Sequence, residues 1–401
     1  MRLAVFSEGY FPEISGVTTS LHQRLQYLSA WGHTVRLYVP DYAPLASLYP
    51  NYRDYVGEIM PHVTVRPFPS KPYYVNYTRD PVPFSLRPLH DEILQFRPDV
   101  VHVECPERLF MGFLGRPGLS VARKLGIPAT AIYHTNYLAY IPDYQKQVAW
   151  LGLPGMTELL RQMVVYVYNS YDVTMVATPA IRDFLISNGV RNTRLNYFYG
   201  VHTDIFRPNP NPPPVEKPAR ILFIGRMSAD KQIDTLLSAL ALVRARCPDS
   251  PFVLLGGGPE EDKVQTWLRS HGPGQHIGRV AYSDLPPYYW QGDVFVTACH
   301  KETRPLTVSE AMASGLPVVG PAGGGLPDMI EPEKTGLLVP PDDPGALADA
   351  VIRLINDPQK RQAMGQQARK SVEDYSWEAG TRAMLKIWED LASRSTPRRS
   401  H

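Results

Sequence analysis

Two glutamates, Glu302 and Glu310, have the residue type and the spacing to hold a ligand that is rich in hydroxyl groups. We expect Glu302 in a loop and Glu310 about one turn inside the helix that follows it. Carboxylates accept hydrogen bonds from hydroxyls, and bonds to a charged acceptor are stronger than neutral ones. Two charges on a solvated helix face would have the same spacing. The pair therefore predicts a sugar or ribose site if other residues supply the remaining groups.

Cations that precede this pair in the chain have the chemistry to hold a diphosphate. Gly225 and Arg226 end an expected strand, and Lys231 lies at the start of the next helix. A helix N-terminus carries partial positive charge, an arginine can bind phosphate bidentately, and a lysine adds a point charge. An exposed loop with two unrelated cations would look the same, so both interpretations stay open on local grounds.

Glycine-rich turns follow two of the expected strands. Gly16 lies between the first strand and the first helix, and Gly257 lies in a run of three glycines after the strand that ends at Leu255. Glycine lets the backbone approach a phosphate, although glycine turns at helix starts are common. The chain contains no GxxxxGK[ST] motif, which argues against a P-loop.

His134 ends an expected strand, and in a parallel α/β sheet this position lies at the edge where ligands bind. A structural histidine with satisfied ring nitrogens is an equally open interpretation. The chain contains neither a GxSxG nucleophile elbow nor an HExxH zinc motif.

Short apolar strands alternate with helical segments along the chain, which predicts parallel sheets covered by helices on both faces. The expected strands are residues 3–7, 34–39, 98–103, 129–134, 172–177, 219–225, 252–255, 293–296 and 317–319. The proline cluster at residues 208–214 predicts a linker. We therefore predict two doubly wound α/β domains, residues 1–205 and 206–380. A terminal segment, residues 381–401, would hold a helix that can pack back on the first domain and a disordered tail from residue 393.

The composition excludes several classes of protein. A hydrophobic fraction of 44% and a charged fraction of 20% are typical of globular chains, and a net charge of +2 predicts no nucleic-acid partner. Three scattered cysteines indicate neither a zinc site nor a disulfide framework. Neither a signal peptide nor a membrane-spanning run is apparent, so we expect a cytoplasmic protein.

Taken in order, these residues make the chain similar to the retaining glycosyltransferases of family 4. That family has the GT-B fold, in which two Rossmann-like domains face each other across a cleft. The motifs that carry the resemblance are Gly225-Arg226 with Lys231, Glu302 with Glu310, residues 311–319 and residues 200–208. The resemblance implies that a nucleotide-diphosphate sugar binds mainly to the second domain.

The resemblance also implies a role for each candidate residue. Its implied donor-binding set is Gly16, Gly225, Arg226, Lys231, Gly257, Glu302, Leu306 and Glu310. Within that set, Glu310 would bind the ribose hydroxyls, Glu302 would lie beside the sugar, and the amide of Gly16 would approach the diphosphate. The catalytic residues would be His134, near the reactive face of the sugar, together with Glu302, Arg226 and Lys231.

The implied reaction retains the anomeric configuration. The acceptor hydroxyl would attack from the face that the phosphate leaves, and the departing phosphate oxygen would take its proton. No protein nucleophile, cofactor or metal is then required, because the two cations supply the positive charge. One departure concerns the donor sugar, because Arg304-Pro305 stands where the family usually has Phe-Gly. Proline lacks the backbone N–H that could bind a sugar hydroxyl.

The expected acceptor is a lipid or a saccharide. Residues 6–17 and 306–313 are similar to those of bacterial diacylglycerol glucosyltransferases, and mannosyltransferases that act on inositol lipids are also similar. The amphipathic run at residues 137–170 would allow peripheral contact with the inner face of a membrane, although packing inside the domain explains it equally well. The alternatives are a nucleotide-sugar hydrolase or epimerase of the same fold, and a non-catalytic nucleotide-sugar binding protein.

Overall fold

The computed structural model describes residues 1–72, 79–147, 155–212 and 218–395, and the side chains of residues 72, 87 and 143–147 are not among those described. The chain forms two compact units. The first comprises Met1–Tyr199 and Trp377–His401, and the second comprises Gly200–Ser376. The proposed division at 205/206 and residues 208–212 of the predicted linker lie in the second unit, whereas residues 213 and 214 of that linker lie outside the described ranges.

Short apolar runs form most of the strands. The strands of the first unit are β1 (Arg2–Phe6), β2 (Thr34–Pro40), β3 (Gly57–Met60), β4 (Val63–Phe68), β5 (Ser70–Pro72), β6 (Arg79–Pro81), β7 (Val100–Glu104), β8 (Ala129–Ile132), β9 (Val173–Val176) and β10 (Thr193–Leu195). Those of the second unit are β11 (Ile221–Ile224), β12 (Phe252–Leu255), β13 (Gly274–Ile277), β14 (Val294–Val296), β15 (Val318–Pro321) and β16 (Gly336–Val339).

Helices connect these strands. The first unit contains α1 (Gly16–Ala30), α2 (Leu86–Phe96), α3 (Pro106–Phe113), α4 (Leu119–Leu125), α5 (Tyr137–Gln147), α6 (Met156–Tyr168) and α7 (Pro179–Ser187). The second contains α8 (Ile233–Arg246), α9 (Glu261–His271), α10 (Pro286–Tyr289), α11 (Leu306–Ala313), α12 (Pro344–Asn356) and α13 (Pro358–Val372). The last helix, α14 (Trp377–Arg394), belongs to the first unit.

The first unit is built around a sheet with the strand order β10-β9-β8-β7-β1-β2-β4-β3. All neighbours in it are parallel except β3 and β4, and β5 and β6 form a separate antiparallel pair. Every residue of the central strands β7 and β8 is buried. Helix α14 packs against α1, and the indole Nε1 of Trp388 donates to the hydroxyl of Thr130 at 3.0 Å.

The second unit has a parallel sheet with the order β13-β12-β11-β14-β15-β16. Separate apolar clusters cover its two faces, one centred on α8 and α12 and the other on α11 and α13. This arrangement confirms the predicted doubly wound α/β class. The strand expected at residues 252–255 forms β12 with those bounds.

Some predicted boundaries are wrong. Strand β8 ends at Ile132, so His134 lies in the following loop. Helix α14 includes Ser393 and Arg394, which we predicted as disordered tail, and residues 396–401 lie outside the described ranges. In the described part of the chain, no helix is long and apolar enough to cross a bilayer.

Within the amphipathic run at residues 137–170, the described residues include helices α5 and α6. Val164, Val167 and Tyr168 of α6 are buried in the core of the first unit, whereas Leu159 and Tyr166 are exposed. The side chains of Tyr144, Lys146, Trp150, Leu151 and Leu153, which were part of the membrane interpretation, lie outside those that are described.

Candidate active site

In each large sheet, the order in which successive strands are added reverses at the first strand. In the second unit β11 has β12 on one side and β14 on the other, and in the first unit β1 lies between β2 and β7. In open α/β sheets, ligands bind outside the carboxyl ends of the strands at such a switch point. The predicted site residues of the second unit follow β11, β12 and β14, and Gly16 follows β1. His134 follows β8, the neighbour of β7.

In the second unit, a tight turn after β11 carries the two cations. The carbonyl of Arg226 accepts from the amide of Ser228 at 3.1 Å, and the carbonyl of Ser228 accepts from the amide of Lys231 at 2.9 Å. The Arg226 guanidinium is half-buried, and it has no hydrogen-bond or ion-pair partner among the residues that the structure describes. A partly exposed cation without a protein partner is available to an anion.

The glycine run after β12 has a packing reason. Gly256 and Gly258 have positive φ. A Cβ on Gly256 would lie 1.9 Å from the carbonyl oxygen of Gly225, and a Cβ on Gly258 would lie 2.3 Å from that of Met227. The carbonyl of Gly257 accepts from the amide of Met227 at 3.1 Å. The run therefore fastens the Arg226 turn to the neighbouring strand, and backbone packing alone requires at least two of its glycines.

Lys231 and Glu302 are in direct contact, with the Lys231 ammonium donating to Oε1 of Glu302. Their side chains are 23% and 25% exposed, so both remain accessible. Burial by itself would lower the pKa of Lys231, but the Glu302 charge outweighs it and raises that pKa above its usual value. The structure thus joins a predicted diphosphate-binding residue to a predicted sugar-binding residue, which lie 71 positions apart.

The loop that carries Glu302 is held by a second glycine run. The amide of Gly325 donates to the carbonyl of Glu302 at 2.9 Å, and a Cβ on Gly324, which has φ +58°, would lie 2.3 Å from the same oxygen. The buried guanidinium of Arg304 lies over the ring of Tyr375, 4.8 Å from its centroid. Pro305 is the N-cap of α11, and Leu306 is the first residue of that helix.

Glu310 lies inside α11 and is only 3% exposed. The hydroxyl of Tyr289 donates to its Oε2 at 2.6 Å, and the hydroxyl of Tyr282 also bonds to this carboxyl. Burial raises the pKa of Glu310 to about 7, against the opposing effect of the two tyrosines. Glu310 is therefore a buried, tyrosine-bound carboxyl and does not lie on a solvated helix face.

In the first unit, Gly16 is the first residue of α1. Ser15 caps this helix, with its side chain accepting from the amide of Thr18 while the Thr18 hydroxyl accepts from the amide of Ser15. The amide of Gly16 has no acceptor among the described residues. With no acidic residue in the first turn, the positive end of the helix dipole is not neutralised there.

His134 belongs to a buried charge network. Its Nε2 donates to Oε2 of Glu104, and its Nδ1 lies 2.6 Å from the hydroxyl of Tyr199. Nη1 of Arg24 donates to Oε1 of Glu104 at 2.5 Å, and Nε2 of His102 lies 3.3 Å from the same oxygen. Both ring nitrogens of His134 thus have protein partners, as expected of a histidine that is positioned by its surroundings.

The charge state of this network follows from its composition. Burial alone would raise the pKa of Glu104, but Arg24 and His134 hold it well below its usual range. Burial lowers the pKa of His102. Glu104 is therefore an anion whose counterion is Arg24, and replacing it would leave Arg24 buried without that counterion.

The sequence analysis missed Arg24, Glu104, Tyr199 and Tyr289. For Arg24 a signal exists, since it lies three residues after Leu21 and four before Leu28 on the apolar face of α1. A cation at such a position requires a buried partner. For Glu104 the signal is its place at the end of the buried strand β7. No comparable local signal identifies the two tyrosines.

Models of two glycosyltransferase families match most of the chain. The glycosyltransferase family 4 model matches residues 14–204, and the model of glycosyl transferases group 1 matches residues 207–371. The sulfoquinovosyl transferase of Arabidopsis thaliana is 30% identical over 95% of this chain and 72% of its own length. A GDP-mannose-dependent alpha-mannosyltransferase of Mycobacterium tuberculosis is 28% identical over 99% and 98% of the two chains.

Two further likenesses extend over nearly the whole chain. The alpha-monoglucosyldiacylglycerol synthase of Acholeplasma laidlawii is 24% identical over 98% of both chains. The structure of sucrose-phosphate synthase from Thermosynechococcus elongatus has a TM-score of 0.78 at 24% identity, covers 98% of this chain and 100% of its own, and shows a shared fold. The chain belongs to the family 4 glycosyltransferases and is a hexosyltransferase with the GT-B fold.

Proposed function

We propose that this enzyme moves a hexose from a UDP- or GDP-sugar to a hydroxyl of a lipid or saccharide acceptor, with retention of configuration. The observation that carries this proposal is the partly exposed Lys231–Glu302 pair, which lies in the same unit as Arg226, a cation with no partner among the described residues. These groups offer two cations to a diphosphate and a carboxylate to sugar hydroxyls. When the donor binds, the Lys231 ammonium leaves the Glu302 carboxylate and contacts a phosphate oxygen instead.

The proposed role of the cations is electrostatic. Negative charge builds up on the diphosphate as the glycosidic bond breaks, and preorganised cations stabilise that charge without reorganisation. Arg226 is suited to two parallel bonds to phosphate oxygens, and Lys231 to a single charged contact. Glu302, released from Lys231, accepts hydrogen bonds from the sugar. Glu310 accepts them from the ribose, and Gly225, Gly257 and Leu306 bring backbone groups to the donor.

In the first unit, we assign to the amide of Gly16 a bond to the diphosphate and to His134 a place at the reactive face of the sugar. Retention is supported by the names of the mycobacterial and Acholeplasma relatives, an alpha-mannosyltransferase and an alpha-monoglucosyldiacylglycerol synthase. In the proposed step, the acceptor oxygen bonds to the anomeric carbon while the bond to the phosphate oxygen breaks. That phosphate oxygen receives the acceptor proton, so no protein nucleophile takes part.

We propose a glycolipid or diacylglycerol acceptor, with a saccharide as the alternative, and peripheral contact with the cytoplasmic face of a membrane. The support is the name of the Acholeplasma relative, an alpha-monoglucosyldiacylglycerol synthase, and the exposed apolar side chains Leu159 and Tyr166 on α6. Because the cations balance the charge of the diphosphate, we also propose that turnover needs no metal ion. Activity that persists in excess chelator is the expected result, and activity restored only by a divalent cation would contradict it.

The test is a panel of UDP- and GDP-hexoses, first titrated by calorimetry and then assayed with diacylglycerol, a glycosylated diacylglycerol and a free saccharide. We expect tight binding of one donor and an acceptor-dependent product with the donor's anomeric configuration. Release of free sugar at the same rate without acceptor would favour the hydrolase. Donor binding without turnover on any acceptor would favour a non-catalytic binding protein.

A further inference from the structure

We propose that Tyr289 is a positioning residue for the donor, because its phenol holds the Glu310 carboxylate in the orientation that accepts the ribose hydroxyls. This inference rests on the ribose-binding role proposed for Glu310. Tyr289 contacts the carboxylate and does not itself need to touch the nucleotide. It lies on α10, which precedes β14, whereas Glu310 lies on α11, which follows it.

The geometry leaves the Tyr289 hydroxyl little freedom. Tyr289 has no exposed surface, its ring lies 5.5 Å from that of Phe206 and 6.2 Å from that of Phe295, and its hydroxyl oxygen is 2.6 Å from Oε2 of Glu310. The same oxygen lies 3.4 Å from the carbonyl of Thr307, which is in the first turn of α11. The phenol is therefore clamped by aromatic rings and directed at the helix that carries the glutamate.

Tyr282 completes this arrangement. Its hydroxyl bonds to the same carboxyl, and its ring lies 5.6 Å from that of Phe206. A carboxylate has about four lone-pair sites, so two tyrosine donors orient it and leave the remaining sites for other hydroxyls. A ribose presents two neighbouring hydroxyls, which matches the acceptor capacity that remains.

The surroundings of Glu310 make these donors necessary. Helix α13, which packs against α11, carries the charged residues Lys360, Arg361, Arg369 and Lys370, and Arg304 lies just before α11. Lys360 pairs with Glu333, and Arg361 donates to the carbonyl of Leu354. The Arg369 guanidinium is directed at the carbonyls of Thr203, Phe206 and Ala313, and Arg304 lies over Tyr375. Burial raises the pKa of Glu310 to about 7, and Tyr289 is the first of the two groups that lower it. The hydroxyl thus favours the ionised form that ribose requires.

The test is Tyr289→Phe, which keeps the ring packing and removes the hydroxyl. We expect affinity for UDP or GDP to fall roughly tenfold at pH 7, as is typical of a lost bond to a charged group. The pH midpoint of nucleotide binding should move upward, while turnover at saturating donor changes little. The matched control is Tyr288→Phe, a half-buried neighbour on the same helix, which should leave the midpoint unchanged.

A double-mutant cycle with Glu310→Gln decides whether Tyr289 acts through Glu310. If it does, Tyr289→Phe has no further effect on nucleotide affinity in the Glu310→Gln background. An unshifted midpoint, or an equal loss in both backgrounds, would overturn the inference. Failure of the proposed function would give a different result. If Glu310→Gln alone keeps the wild-type nucleotide affinity, Glu310 does not bind the ribose.

Discussion

The two units place charged groups after the central strands of similar sheets, but they bury those groups to different depths. In the second unit, Lys231 and Glu302 form an ion pair that is about one-quarter exposed. In the first unit, Arg24 and Glu104 form a pair that is 2% and 0% exposed. A partly exposed pair can exchange its partner for a ligand, whereas breaking a fully buried pair leaves an uncompensated charge. The partly exposed Lys231–Glu302 pair is therefore suited to ligand binding, and the buried Arg24–Glu104 pair is suited to holding neighbouring side chains in place.

Each unit also contains a buried glutamate that is bonded to a tyrosine. Glu107 accepts from Tyr168 in the first unit, and Glu310 accepts from Tyr289 in the second. Burial raises the pKa of Glu107 to about 8 and that of Glu310 to about 7. Glu107 is therefore mainly protonated at neutral pH, whereas Glu310 is close to its midpoint and can respond to a ligand.

The largest expected effect comes from Lys231→Ala, which removes the exchangeable cation. We expect kcat/KM for the donor to fall about 10²–10³-fold, the range for losing one preorganised electrostatic contact. Calorimetry with the nucleotide and turnover assays measure it. The control is Lys263→Ala, whose ammonium forms a more exposed pair with Asp234 in the same unit. Wild-type activity in Lys231→Ala would remove the diphosphate assignment.

His134→Ala tests the buried network of the first unit. We expect turnover to fall about 10²-fold, a typical contribution of a positioned catalytic side chain. Donor affinity should change little, because the main donor groups lie in the second unit. His90→Ala, which replaces a histidine bonded to Ser120 on the surface of the same unit, should change neither quantity. Equal losses in affinity and turnover would show that His134 serves donor binding instead.

The pH dependence of stability tests the two buried glutamates. Because the pKa of Glu310 is raised from 4.5 to about 7, the folded state binds its proton more tightly than the unfolded state does. Its contribution is fully present below pH 4.5 and is lost as the pH rises to 7, roughly 3 kcal/mol in all. Urea unfolding between pH 4.5 and 8 should show a shallower slope for Glu310→Gln than for the wild type.

Glu107→Gln provides the matching variant in the first unit. Since the pKa of Glu107 is about 8, its contribution has the same sign and extends to higher pH. The two variants should therefore flatten different parts of the profile. If the stability of both variants depends on pH as that of the wild type does, neither carboxyl has a raised pKa in the folded protein.

The smallest expected effect is that of Arg226→Lys. The charge remains but the planar fork is lost, so donor affinity should fall only several-fold, about 1 kcal/mol. Arg220→Lys is the control, because Arg220 of the same unit bonds bidentately to Asp293 at the other end of β11. It should leave donor affinity unchanged. A loss at Arg226 as large as that of Lys231→Ala would show that bidentate geometry matters more than charge.

Much of the fold could be predicted from the sequence because the central strands are buried on both faces. Such strands appear as continuous apolar runs, as in β11 and β12. Strands β10 and β13 were missed because they lie at sheet edges, where partly exposed polar residues interrupt the apolar pattern. The proline- and tyrosine-rich residues 42–83 contain no long apolar run, yet they include strands β3 to β6.

The sequence by itself determined which residue types are available and which local element carries each. The spacing of Glu302 and Glu310 places one in a loop and the other in a helix, and the structure has them there. The tertiary structure alone decided their partners: Lys231 for Glu302, Tyr289 for Glu310, and Glu104 for His134. The physical reason is that periodicity and propensity act over a few residues. Pairings between distant residues depend instead on strand order and on the depth at which each group is buried.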